Sequence, residues 1–168
     1  MSYTGNEGEA SAVYRQSTML PPLVRPRSSV QFVAPGSVTR EEFGLFRWDM
    51  KPHAGGPAGH FHRTFSESFY ILSGTVRLFD GRAWLDARPG DFVFVPRGGI
   101  HAFANESDAE ASMLILFSPG IARERFFEEM AEIGESGRTL SPEEWTEFYA
   151  RHDQFMVSER ASPDRPRS

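Results

Sequence analysis

His60-Phe61-His62-Arg63-Thr64-Phe65-Ser66-Glu67 sets two imidazoles two residues apart and a carboxylate five residues after the second. On a strand, residues i and i+2 share a face, so His60 and His62 project side by side. Two neutral imidazoles on one face are a metal-ligating arrangement, because each offers a lone pair toward the same point. The step of five to Glu67 is odd, and a straight strand would turn that carboxylate to the opposite face. Convergence requires a bend around Arg63 to Ser66 and a fresh strand register from Glu67. His101 lies 34 positions beyond Glu67 and can join only through tertiary packing.

Working outward, the flanking chain reads as strands punctuated by turns. Val30 to Val33 is a first strand, closed by Pro35-Gly36. Glu42 to Met50 alternates and presents Phe46, Trp48 and Met50 on one apolar face. Pro52 to Gly59 is a Gly/Pro loop. After the histidine pair come Ser68 to Leu72 and, past Gly74, Thr75 to Phe79. Asp80-Gly81 is a two-residue hairpin signal, with the chain returning over Arg82 to Leu85. Pro89-Gly90 leads into Asp91 to Val95, Pro96 to Gly99 into His101 to Ala104, and Ser112 to Phe117 is a last apolar strand. About nine short strands at this spacing predict an antiparallel sandwich or barrel. Neither a βαβ alternation nor a helical repeat is present.

The period then changes. Ser118-Pro119 reads as an N-cap and first-turn proline, followed by the helical stripe Phe126, Phe127, Met130 and Ile133. Ser141-Pro142-Glu143-Glu144 opens a second helix with an N-cap, a proline at N1 and a capping-box acid. Its stripe runs Trp145, Phe148, Tyr149, His152, Phe155 and Met156. Both helices must bury apolar faces against the strands or a partner. The expected organisation is an N-terminal arm over 1–28, partly disordered, a β-barrel over 29–118, a helical pair over 119–157 and a polar tail over 158–168. Within the arm, Met19 to Pro26 is apolar enough to dock on the barrel or cross to a second subunit.

The 168 residues suit one domain with extensions. The absence of cysteine excludes a disulfide framework, a thiolate zinc site and a cysteine nucleophile. A net charge of −5 argues against a nucleic-acid partner. No run is apolar and long enough to span a membrane, and the N-terminus lacks a basic region followed by an apolar core. A cytoplasmic protein is expected.

Two spaced patterns resemble the motifs of the cupins. His60-x-His62-x4-Glu67-x6-Gly74 is similar to their first motif, and Gly90-x5-Pro96-x-Gly98-x2-His101-x3-Asn105 to their second, with each named position filled. The family's leading glycine falls on Ala54, beside Gly55 and Gly56. The resemblance spans about residues 40 to 118. It implies a double-stranded β-helix (jelly-roll) barrel, one divalent transition metal held by His60, His62, Glu67 and His101, and a homodimer. Three neutral imidazoles and one carboxylate leave such an ion with a net positive charge and accept iron, manganese, nickel, cobalt, copper or zinc. An octahedral ion would keep two positions open for water, a substrate or dioxygen.

Among small single-domain cupins, the chain resembles the quercetin dioxygenases. That likeness implies a dioxygenase acting on an aromatic or enolic small molecule, with Glu67 as a displaced ligand and general base. A metal-assisted cyclase, isomerase or lyase, and a module that binds a small ligand without turnover, are the other readings. The aromatic positions Phe46, Trp48, Phe69, Phe103 and Phe117, with Met113 beside them, are read as core first and as candidate pocket wall second. Phe69 shares Glu67's face by parity, and Phe103 shares His101's. His53 reads as a solvated loop histidine, His152 as a packed one, and Asn105 as satisfying a turn backbone.

Overall fold

The computed structural model describes residues 4–157. The expected tail over 158–168 lies outside the described residues. Strands β1 (Leu23–Val24), β2 (Ser28–Ala34) and β3 (Gly44–Met50) begin a six-stranded sheet, with the short helix α1 (Gly36–Thr39) between β2 and β3. The remaining strands are β4 (His60–Phe61), β5 (Ser66–Ser73), β6 (Val76–Phe79), β7 (Trp84–Ala87), β8 (Phe92–Val95), β9 (Ala102–Ala104), β10 (Ala111–Ser118) and β11 (Phe155–Met156). Helices α2 (Arg123–Glu135) and α3 (Pro142–Arg151) precede β11.

The large sheet runs β1-β2-β3-β10-β5-β8, a smaller one runs β7-β6-β9, and β11 pairs with β4. Among the described residues the strand pairings are antiparallel. This is a jelly roll whose sheets share one apolar core and, among the described residues, do not close into a complete barrel. The alternation along β3 is direct: Phe46, Trp48 and Met50 are buried, whereas Arg47 between them is exposed. The apolar segment of the arm docks on its own chain. Leu20 is buried, and Leu23 and Val24 pair with Val30 and Ser29 of β2.

The two long helices cover the core. The Phe127 ring of α2 lies 5.6 Å from Phe46 and 5.4 Å from Trp48, and Phe148 of α3 packs on Phe126 at 5.5 Å. Ser141 caps α3 with the expected reciprocal box: Glu144 N–H donates to Ser141 Oγ, and Ser141 N–H donates to the Glu144 carboxylate. No helix among the described residues is long and apolar enough to cross a membrane.

Three local expectations are corrected. Ser118 does not cap a helix; it ends β10, its carbonyl accepting from Ser66 Oγ at 3.1 Å, and α2 starts at Arg123. Phe155 and Met156 do not extend the α3 stripe. Asp153 takes a left-handed backbone (φ 53°), the helix stops at Arg151, and those two residues become a strand. The Asp80-Gly81 turn sits one residue later than expected: Asp80 N–H donates to Ala83 O at 3.1 Å, which puts Gly81 and Arg82 at the tip, and Asp80 Oδ1 accepts from Arg82 N–H and Ala83 N–H.

Candidate metal centre

The chain breaks between the two histidines and Glu67, as the odd spacing requires. β4 ends at Phe61, and Glu67 belongs to β5 in the large sheet. Asp153 holds the bend: its carboxylate accepts from Arg63 N–H (3.1 Å), Thr64 N–H (2.8 Å) and Thr64 Oγ1 (2.7 Å). His101 enters from the far side through a reciprocal backbone pair with His60, the two N–H···O contacts being 3.1 and 2.9 Å. One ligand atom from each of His60, His62, Glu67 and His101 lies within 4.8 Å of all the others, and all four residues are buried.

Each imidazole is set by a backbone carbonyl. Nδ1 of His60 faces Ala58 O at 2.9 Å, Nδ1 of His62 faces Asp153 O at 2.6 Å, and Nδ1 of His101 faces Gly99 O at 3.0 Å. A carbonyl only accepts, so each Nδ1 carries the proton and each Nε2 presents its lone pair. Phe65 fixes the His62 plane further, stacking on it at 4.2 Å. Burial first, then the neighbouring His101 and His62, pushes His60 well below its ordinary titration range and keeps it a neutral donor. For Glu67, burial works to raise the value; protons on Nε2 of His101 and His62, when present, outweigh it and hold the carboxyl well below the usual range, a part that a bound cation would take over.

The donor set fits a metal. Nε2 of His101 and of His62 approach Glu67 Oε2 at 3.0 and 3.1 Å, so lone pairs meet an anionic oxygen and a cation belongs between them. Ligand bonds of about 2.0–2.2 Å set at right angles separate neighbouring donors by about 3 Å, which is this spacing.

A sequence profile of the family described as Cupin domain matches residues 46–117, the segment that holds all four of these residues. The chain carries a cupin domain. A quercetin 2,3-dioxygenase of Bacillus subtilis is 29% identical over 82 residues, covering 46% of this chain and 24% of that protein. The match thus spans about a quarter of the dioxygenase's length. Among solved structures, KdgF from a Halomonas species aligns with a TM-score of 0.57 at 16% identity, over 65% of this chain and 94% of that one. The polyketide cyclase RemF of Streptomyces resistomycificus aligns with a TM-score of 0.55 at 20% identity, over 64% and 80%. At these identities the structural matches establish the fold.

The cupin core opens beside the four residues into a cavity of about 400 Å³, and His60 and Glu67 form part of its wall. Trp48 and Phe103 line it as well. Phe46, Phe69 and Met113 do not: each is fully buried in the core between the sheets, with Phe69 5.9 Å from the His101 ring and 5.8 Å from Phe103. Ile115 and Phe117 of β10 complete the strand side, and Arg123, Phe126, Phe127 and Met130 of α2 form the opposite side. Gly56 lets the loop approach, since a Cβ there would stand 1.9 Å from Phe103 O.

The remaining candidates stand where their roles place them. His53 is exposed and pairs with Asp108 at 2.8 Å. His152 packs between the Phe126 and Phe148 rings, 3.2 Å from Glu129. Asn105 Nδ2 donates to Lys51 O and Ala109 O and closes its turn. Arg123 and Asp153 are additions that strand and motif reading misses. Arg123 does carry a sequence signal, a cation three and four residues ahead of the apolar pair Phe126-Phe127. Its guanidinium is buried over the Phe126 ring at 3.8 Å, and burial brings its pKa down to about 10.

Proposed function

We propose that this cupin is a metal-dependent enzyme of the dioxygenase kind, acting on a small aromatic or enolic molecule held in the cavity. One observation carries the reading: two members of a buried three-histidine, one-carboxylate cluster, His60 and Glu67, stand in the wall of a largely apolar cavity large enough for a small molecule. His60, His62, Glu67 and His101 would hold one divalent transition ion, which supplies Lewis acidity and open positions for oxygen ligands. Trp48, Phe103 and Phe117 would flank the substrate and keep water from it. Glu67, on both the cluster and the cavity wall, is the group positioned to take a proton from an enol or phenol at that wall. The partial likeness to a quercetin 2,3-dioxygenase supports the oxidative reaction.

A non-oxidative cyclisation, isomerisation or lyase reaction would use the same residues, and the fold is shared with a protein named as a polyketide cyclase. Oxygen uptake separates the two. Elemental analysis of untagged protein is expected to find about one transition ion per chain, and an oxygen electrode with flavonols and 1,3-diketones is expected to register consumption. Turnover of such a substrate without oxygen uptake would replace the oxidative reading with the non-oxidative one. A homodimer belongs to the same proposal, with light scattering as its check.

A further inference from the structure

The charge on the cavity wall is unbalanced. Arg25, Arg27 and Arg123 line it against one carboxylate, Glu67, which belongs to the four-residue cluster. Arg123 is 4% exposed and bonds two neutral acceptors, His152 O at 3.0 Å and Gln154 Oε1 at 2.7 Å. Its Nε is buried with no partner, and so is Nε1 of Trp48, a residue 6% exposed. Both flank one ring: Phe127 lies 5.4 Å from Trp48 and 5.8 Å from the Arg123 guanidinium carbon.

Buried cations are ordinarily paired, and buried donors ordinarily bonded. A purely structural Arg123, pinning α2 to the segment before β11, accounts for its two carbonyl-type bonds. Glu67 and Asp153 favour its charge from a distance, but that role leaves it with no bonded carboxylate and leaves its Nε and the Trp48 Nε1 idle among the described residues. An acceptor that brings negative charge satisfies all three. The ion that the four ligands would hold adds further positive charge to this wall.

We propose that the cavity recognises a substrate bearing a carboxylate, seated between Arg123 and Trp48 with its apolar body against Phe103, Phe126 and Phe127. This deepens the proposed function and rests on it for the reacting end of the molecule; recognition of the carboxylate requires no turnover. Arg25, half-buried and without a side-chain hydrogen bond among the described residues, stands at the same wall and favours entry of an anion.

The test titrates metal-replete protein calorimetrically with 2-naphthoate and with the neutral 2-naphthamide. Naphthoate should bind about tenfold or more tightly than the amide, the gain a charge-assisted hydrogen bond brings. Arg123→Gln should remove that preference while the metal content stays unchanged, and Arg123→Lys should keep part of it. Equal affinities in the unaltered protein, or no binding of either probe at millimolar concentration, would overturn the proposal. So would a preference that survives Arg123→Gln with the metal in place, since the carboxylate would then sit on the ion. If Arg123→Gln does not fold, the Arg123→Lys titration decides, and loss of the preference there counts against the proposal. Carboxylate preference without turnover of any substrate would leave this inference standing and remove the enzymatic reading.

Discussion

The two sides of the cavity are built by different means. On the strand side, His60, His62 and His101 are each set by one backbone carbonyl, and β5 of the large sheet carries Glu67. On the helix side, Arg123 is held by a carbonyl and an amide from the segment after α3 and by the face of Phe126, with Phe127 and Phe148 as apolar anchors. One side positions donors through main-chain geometry and leaves their identity fixed. The other positions a charge through side-chain packing, which tolerates exchange. Under the proposed function, chemistry common to the fold would belong on the first side and substrate choice on the second.

The sharpest way to break this division is to empty the strand side. His60→Ala combined with His101→Ala should reduce bound metal from about one ion per chain to background in elemental analysis. Full metal retention in that variant would refute the ligand assignment. Next in size, Phe126→Ala should cost about 3–5 kcal/mol in chemical denaturation, because the ring packs against Phe127, Phe148 and Arg123. It should leave the metal stoichiometry of the folded fraction unchanged, and a parallel loss of metal would show that the two sides are one unit. Asp153→Ala probes the bond between the sides. Losing the carboxylate frees the Arg63–Thr64 bend, and alanine at a φ of 53° strains the backbone whose carbonyl sets His62, so metal affinity should fall about 10–100-fold in a competition titration with a chelator. An unaltered affinity would mean that the bend holds without Asp153. The smallest effect belongs to the far end of the cover, where Ser141→Ala removes the capping box of α3 and should cost about 1 kcal/mol with no change in metal binding.

The same contrast explains what could be read from the chain. The strand side was legible because its signals are local: the His60–His62 alternation, the odd step to Glu67, and turn residues at fixed distances from His101. The Ser141-Pro142 start was legible for the same reason. Parity on a strand, however, gives a face and not a depth. Phe69 and Phe103 have equal standing by parity, yet Phe103 reaches the cavity and Phe69 stays in the core. Phe46 and Met113 likewise fill space between the sheets, while Phe117 of the same set lines the cavity together with Ile115, which alternation alone does not single out. The helical period carried past its true end because Phe155 and Met156 fit the stripe numerically, and the left-handed backbone at Asp153 that ends it has no apolar signature. Asp153 and Arg123 act through contacts 90 and 31 residues distant, beyond the reach of any spacing rule.

The carbonyl that sets His62 belongs to a residue 91 positions later. Seen as a sequence of events during synthesis, the histidine pair leaves the ribosome long before its last orienting group exists. A nascent chain therefore displays metal-binding side chains whose geometry is still open. Only when the segment after α3 has folded back onto β4 does the pair acquire its final aim. The completed molecule, and not the motif alone, carries the finished site, and maturation of the cupin core is tied in time to the part of the chain that encloses the cavity.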